Sequence, residues 1–332
     1  MTPVAELADY RALLAYAARI GRDANLAQAA GGNVSFKHDG VLWVKASGTW
    51  LMHAEEHDIM VPVAIAELKQ AMRQGDAENV VPFVVARLNR SGLRPSIETT
   101  MHAALRHRVV VHVHCVETIA WATRQDAEAA LAPLLAGLSW RFIPYVRPGA
   151  PLTQAILRRC QEDTDVLVLG NHGLVAGGDD TKAAARLIDD VARRLRRPPR
   201  PPGPVDRDRL NKCSAGTRYA PATDDAIHSV ATDAKSLAVA RLGSLYPDHV
   251  IFLGPGIAEW TGAEERCVCV LPGAGVLVRD DAGAAAVALA RCLADVTARL
   301  DPDEPLRMLT RAEEAELLGW DAEIYRRQLR IE

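Results

Sequence analysis

Apolar positions switch between helical and strand spacing along the whole chain, and the switches mark out its elements. Leu and Ala at helical intervals predict a helix over residues 4–20, with Gly21 as its stop. LAQAAGGNVSFKHDGVLWVKASGTWL then predicts a loop, a strand, a turn at Asp39-Gly40 and a second strand. Val34 and Phe36 alternate in the first strand, Leu42 and Val44 in the second. EEHDIMVPVAIAELKQAMRQ predicts a short strand running into a helix, and residues 97–107 predict a helix that feeds the run RHRVVVHVHCVE. VETIAWATRQ and AEAALAPLLAGL carry helical spacing, WRFIPYVRPG predicts a strand ending at Pro148-Gly149, and LTQAILRRCQEDT a helix. DVLVLGNHGLVAGG predicts two strands around a turn, followed by a helix over TKAAARLIDDVARRLRR.

That helix cannot continue through RRPPRPPGPVDRDR, residues 196–209. Proline has no amide hydrogen to give, and its ring clashes with the preceding turn. The segment reads as a semi-rigid connector. It divides the chain into a first unit over residues 1–197, a Pro/Arg-rich linker over 198–209 and a small α/β unit over 210–332. In the second unit DAIHSVATDAKSLAVARLGSLYP predicts helix, HVIFLG a strand, CVCVLPGAGVLVR one or two strands with a glycine turn, and AGAAAVALARCLADVTARL a helix. LTRAEEAELLGWDAEIYRRQL predicts an amphipathic helix at the end. GPGIAEW and LPGAGVLV are glycine turns rather than dinucleotide loops, since neither supplies GxGxxG opening a helix.

Composition narrows the class. Of 332 residues, 49% are hydrophobic but only 5% aromatic, so an aliphatic core is expected. A formal net charge of −3 gives no reason to expect nucleic acid or an anionic membrane as partner. No apolar run approaches the roughly 20 residues needed to span a bilayer, and the N-terminus lacks an export-signal layout. A cytoplasmic protein is expected. The six cysteines form no CxxC, so they are expected to be free thiols in a reducing compartment.

The chemistry starts in the valine run. Side chains alternate across a strand, so His112 and His114 share one face while Val111, Val113 and Cys115 share the other. Two such imidazoles can grip one ion or simply hydrogen-bond their neighbours. A catalytic zinc site uses three protein ligands and keeps one position open. His172, in the Asn-His-Gly turn, is the third candidate. His38, His53, His57, His102, His107, His228 and His249 are expected at the surface or as caps. Glu98, just upstream of the histidine strand, is a candidate base, or an acidic residue favoured by the dipole of a first helical turn. Gly31-Gly32-Asn33, Ser47-Gly48 and Ser96 offer amides and hydroxyls for an anion, although each alone also suits a turn or cap.

In order, GGNVSF, VKASG, PSIETTMHAALRH, VVVHVHC and NHGLV resemble the class II aldolase/adducin family of zinc-dependent sugar-phosphate aldolases and epimerases. The resemblance covers roughly residues 5–195. PSIET, FIPYVRPG and YPDHVIFLGPG … VCVLPGAGVLV look most like the aldolase part of long bacterial proteins that couple a rhamnulose-1-phosphate-aldolase-like domain to a short-chain dehydrogenase. The chain is expected to stop before any dehydrogenase.

The resemblance implies a three-layer α/β/α fold with a largely antiparallel central sheet. It implies Zn²⁺ on His112, His114 and His172, with Glu98 as general base. Gly32, Asn33, Ser47, Gly48 and Ser96 would hold the phosphate of a sugar substrate, and the chain would be a homo-oligomer, a tetramer with sites between subunits. Ile97 stands where many relatives have a second serine, which removes a hydroxyl from that cradle. Tyr145, Tyr219 and Tyr246 are candidates for the tyrosine that protonates the leaving group. The implied reaction is retro-aldol cleavage of a ketose phosphate or related sugar through a metal-stabilised enediolate. Epimerisation, decarboxylation or dehydration on the same site are alternatives. A non-catalytic adducin-like protein is the third, and the full set of histidines and Glu98 counts against it.

Overall fold

The structure is a computed structural model and describes residues 4–262 and 265–319. Helix α1 (Ala8–Gly21) leads to strands β1 (Asn33–His38) and β2 (Val41–Lys45). Asp39 and Gly40 join them at φ 48° and 75°, the left-handed turn that the Asp-Gly pair suits. Strand β3 (Met60–Ala64) runs directly into α2 (Ile65–Gln74). Then come α3 (Thr99–Ala104), β4 (Val109–Val113), α4 (Val116–Ala122), α5 (Ala127–Leu131), β5 (Trp140–Ile143) and α6 (Ala150–Arg159). Strands β6 (Val166–Leu169) and β7 (Gly173–Gly178) flank the Asn-His turn, and α7 (Thr181–Arg194) follows.

The strands form one sheet in the order β3-β2-β1-β4-β7-β6-β5. The sheet is mixed rather than antiparallel throughout: β5 and β6 run parallel, while the other neighbours are antiparallel. Strand alternation sends side chains to two helical layers. Val34, Phe36, Val109, Val111 and Val113 pack towards α1 and α7, and Leu42, Val44, Val110, Leu167 and Val175 face the layer of α2, α3 and α6. The fold is therefore the expected α/β/α sandwich. Helix α3 is shorter than the predicted span over 97–107.

Residues 196–206 contain no helix or strand, yet they are tied down on both sides. Arg197 N–H donates to Glu117 (2.8 Å), and the Arg200 guanidinium reaches Asp233 (2.8 Å) and the Thr297 carbonyl (2.7 Å). Beyond lie α8 (Arg207–Ser214), β8 (Tyr219–Pro221), α9 (Ser229–Thr232), α10 (Ala234–Leu242) and α11 (Pro247–Leu253). Strands β9 (Val268–Leu271) and β10 (Gly275–Arg279), then α12 (Ala284–Thr297) and α13 (Arg311–Leu318), complete the described elements. Strands β8, β10 and β9 form an antiparallel sheet, with a turn at Pro272-Gly273-Ala274 where a hairpin was expected.

HVIFLG is a helix, not the predicted strand. Pro247 occupies the first helical turn, where its missing amide hydrogen costs nothing and its fixed φ fits, and Gly254 at φ 84° ends the helix. A four-residue apolar run cannot by itself distinguish a buried strand from a buried helix. The last predicted helix is described only as far as α13; residues from 320 onwards lie outside the described residues.

The C-terminal residues do not stand apart from the first sheet. Val116, Ile119 and Ala120 of α4 share a core with Leu245, Leu289, Leu293 and Val296. This shared core brings the start of α11 against the end of β4.

Candidate metal centre

His112 lies within β4, and His114 immediately follows its last residue. Antiparallel pairing of β4 with β7 places Val113 opposite Leu174 and so brings His172, in the turn before β7, alongside both. The three rings form a nearly equilateral triangle, with centroids 4.9–5.0 Å apart. One ligand atom from each lies within 4.8 Å of the others, and all three residues are buried.

Glu98 completes the cluster. Its Oε1 is 3.4 Å from His112 Nε2 and 3.6 Å from His172 Nε2. Glu98 occupies the N-cap position of α3 but makes no side-chain capping bond. Its carboxylate is turned to the histidines instead. The Ser96 hydroxyl accepts from the Glu98 amide at 3.2 Å, which steadies the approach to α3.

Two contacts fix the imidazoles. His112 Nδ1 is 3.0 Å from the Leu174 carbonyl, and His114 Nδ1 is 3.0 Å from Oδ2 of Asp248. A carbonyl and a carboxylate only accept, so each Nδ1 carries a proton and each Nε2 is the atom turned to the other histidines. Burial pushes the His112 pKa down, against the pull of Glu98, so the ring stays neutral as a ligand must. His112 Nε2 and Glu98 Oε1 are both buried with no hydrogen-bond partner. A buried polar atom left unpaired costs about 1–3 kcal/mol. Three converging imidazole nitrogens fit a divalent cation of the zinc type, which removes that cost.

The cluster forms the floor of a small cavity. Gly32, Asn33, Ser47, Gly48, Ser96, Glu98, His114 and His172 line it, so the structure brings together the residues singled out from sequence, with His112 just behind. Ile97 lines it too, where a second serine was missed. Two expected anion donors are already committed: the Gly31 amide donates to Gln28 O at 2.8 Å and the Ser47 amide to Arg94 O at 3.0 Å. Hydroxyls and the remaining amides are what the cradle can offer. The cavity volume is about 30 Å³, so anything much larger than a water requires its walls to move.

Among the lining residues that sequence reasoning missed, two carry chemistry: Lys45 and Asp248. Lys45 is buried and donates to the carbonyls of Thr49 (2.6 Å) and Ala30 (3.1 Å), which sets a cation beside Ser47 and Ser96. A lysine alternating with valines in β2 was the available signal. No local pattern could have found Asp248, which comes from α11.

Among the described residues, none of the candidate tyrosines lines the cavity. Tyr219 donates to the Arg266 carbonyl at 2.6 Å, Tyr145 lies under the Arg307 guanidinium at 4.9 Å, and Tyr246 is buried beside His249. Burial raises the pKa of all three. Four histidines expected at the surface or as caps are buried: His102, His107, His228 and His249. Each has a partner, for example His102 Nδ1 on Ser35 Oγ at 2.8 Å and His107 Nε2 on Asp165 at 2.7 Å. Such pairing offsets part of the cost of burial, although the second nitrogens of His102 and His107 have no hydrogen-bond partner among the described residues, and residue type alone does not reveal it. His53, Glu56 and His57 form a second, more exposed group in which Glu56 also pairs with Arg22.

Fold and site together define an α/β/α protein whose sheet gathers three buried histidines able to hold a metal ion. The chain belongs to the family described as Class II Aldolase and Adducin N-terminal domain, which matches residues 12–196, more than half of its length. It is similar to a Bacillus subtilis protein named uncharacterized oxidoreductase YuxG, 25% identical over 222 residues, 62% of this chain and 31% of that protein. It also resembles the Escherichia coli 3-oxo-tetronate 4-phosphate decarboxylase, 29% identical over 113 residues, 30% of this chain and 53% of the relative. The chain thus spans about a third of the first curated relative and about half of the second. Among solved structures, the N-terminal class II aldolase domain of a conserved Thermoplasma acidophilum protein superposes with a TM-score of 0.50 at 24% identity. The match covers 57% of this chain and 92% of that one and shows the shared fold. No helix among the described residues is long and apolar enough to cross a membrane.

Proposed function

We propose that the chain is a metal-dependent lyase that cleaves a carbon–carbon bond next to a carbonyl in a ketose phosphate or related sugar derivative. The observation that carries this reading is the triangle of buried imidazoles with the Glu98 carboxylate beside it. His112, His114 and His172 would hold Zn²⁺, which supplies Lewis-acid stabilisation of the negative charge developing on the substrate oxygen.

The chain's own residues do the rest. Glu98 takes the proton of the substrate hydroxyl whose carbon departs as the aldehyde and returns it to the carbon left electron-rich by bond cleavage, a role worth typically about 10²–10⁴-fold. Lys45, Ser47 and Ser96, with the backbone around Gly32, Asn33 and Gly48, orient an anionic group at the cavity mouth. The buried floor limits access of water, so the electron-rich product is protonated by Glu98 rather than by solvent.

Decarboxylation is the second reading, favoured by the similarity to the 3-oxo-tetronate 4-phosphate decarboxylase. It leaves the same kind of electron-rich carbon, but carbon dioxide departs without giving up a proton, so Glu98 must first take one from water before handing it on. A homotetramer is part of the proposal, and sedimentation of the purified chain tests it. For the reaction, zinc-loaded protein is incubated with phosphorylated and free ketoses and with 3-oxo acid phosphates. Release of an aldehyde supports the lyase and release of carbon dioxide supports the second reading; zinc-free protein should give neither product, and zinc-loaded protein that also gives neither rules out both.

A further inference from the structure

Among the described residues, the start of α11 brings the C-terminal unit to the histidine cluster. Tyr246 is extended (φ −158°, ψ 163°), Pro247 begins the helix, and Asp248 in its first turn lies against His114. We propose that Asp248 is the positioning residue for His114, so that residues 245–248 complete the metal centre built by the family fold. The proposal rests on the metal reading above and says what the C-terminal unit contributes to it.

Four observations support it. Asp248 Oδ2 and His114 Nδ1 are 3.0 Å apart, with the side chains 2% and 6% exposed. A carboxylate so far from water is retained only where it is well paired. Gly31 lies beside this pair: a methyl group there would come within 2.7 Å of His114 Nδ1 and 2.9 Å of Asp248 Oδ2. The chain therefore has no side chain at the point where the contact passes. Asn171, immediately before His172, is held from the same side. Its Nδ2 donates to the carbonyls of Leu245 (2.9 Å) and Arg307 (2.8 Å), which keeps the residue at φ 51°. Two of the three histidine positions are thus braced by C-terminal residues.

The physical consequence follows from the tautomer. With Nδ1–H directed at a carboxylate, the ring cannot rotate freely, Nε2 faces the other two histidines, and its basicity rises. Without Asp248 the ring can adopt the other tautomer and lose its aim.

The test uses the full chain with Asp248→Asn, which is nearly isosteric, and Asp248→Ala. In metal-free protein, ¹⁵N NMR of the imidazoles should show His114 as the Nδ1–H tautomer in the wild type and as a mixture in Asp248→Ala. Chelator competition should show zinc binding weakened about 10–100-fold in both variants. The visible spectrum of Co²⁺-loaded protein should change while far-UV circular dichroism does not. If Asp248→Ala does not fold, Asp248→Asn carries the affinity and spectral measurements. Unchanged zinc affinity and cobalt spectrum in a folded variant overturn the proposal. A wild type that binds no metal overturns the metal reading instead, and the tautomer measurement then decides the Asp248–His114 assignment by itself.

Discussion

Oε1 of Glu98 stands 3.4 Å from Nε2 of His112, and neither atom has a hydrogen-bond partner. In an ordinary core this pair would have been bonded or replaced by apolar groups, since each orphaned atom costs free energy. Keeping them apart yet facing each other suits a centre in which a cation takes one lone pair and the carboxylate remains available for proton transfer.

His112→Ala should abolish stoichiometric metal binding while the fold survives. The variant leaves the Leu174 carbonyl without its donor, at a cost of about 1–3 kcal/mol. Metal content by mass spectrometry and a thermal melt check this. Metal retained at the wild-type ratio would exclude His112 as a ligand.

Glu98→Gln should bind metal normally and lose turnover by about 10²–10⁴-fold. The side chain makes no capping bond, so helix α3 should not weaken. Steady-state rates on the zinc-loaded variant decide. Near-wild-type rates would mean that Glu98 has no proton to move.

Gly31→Ala should destabilise the protein by about 1–3 kcal/mol, because the added methyl meets His114 Nδ1, the Gln28 carbonyl and Asp248 within 2.7–2.9 Å. Gly40→Ala is the control: its Cβ would touch nothing within 4 Å, although φ 75° leaves some backbone strain. Denaturant melts compare the two. Zinc affinity should fall in the first variant only.

Acid should destabilise the C-terminal unit through His249. The buried ring gives its Nε2–H to Gly256 O at 2.8 Å and accepts the Leu245 amide at 3.3 Å on Nδ1. Burial and, secondarily, the charge of Arg266 lower its pKa from 6.5 to about 4, against the Gly256 bond. Between those values the unfolded chain binds the proton and the folded chain does not. Stability is therefore fully present above pH 6.5 and falls as pH drops towards 4, by up to about 3 kcal/mol. Urea midpoints at pH 7 and pH 5 should show a smaller acid loss in His249→Gln. An identical loss would mean that other groups carry the acid sensitivity.

The sequence by itself determined the elements whose signal is local. Alternation put His112 and Val111 on opposite faces of β4, and Asp39-Gly40 set the β1–β2 turn, because the period of a strand and the steric freedom of a turn act over a few residues. The ordered motifs also carried the family. Other features were settled only by tertiary structure. The pairing of β4 with β7 gathered His172 to the other two histidines, and packing of α11 on the first sheet supplied Asp248. The burial of His102, His107, His228 and His249 belongs here as well, as does the helix in place of a strand at HVIFLG. Each depends on contacts between residues far apart in the chain, and the free energy of such contacts lies in register and packing, which no short stretch of sequence contains.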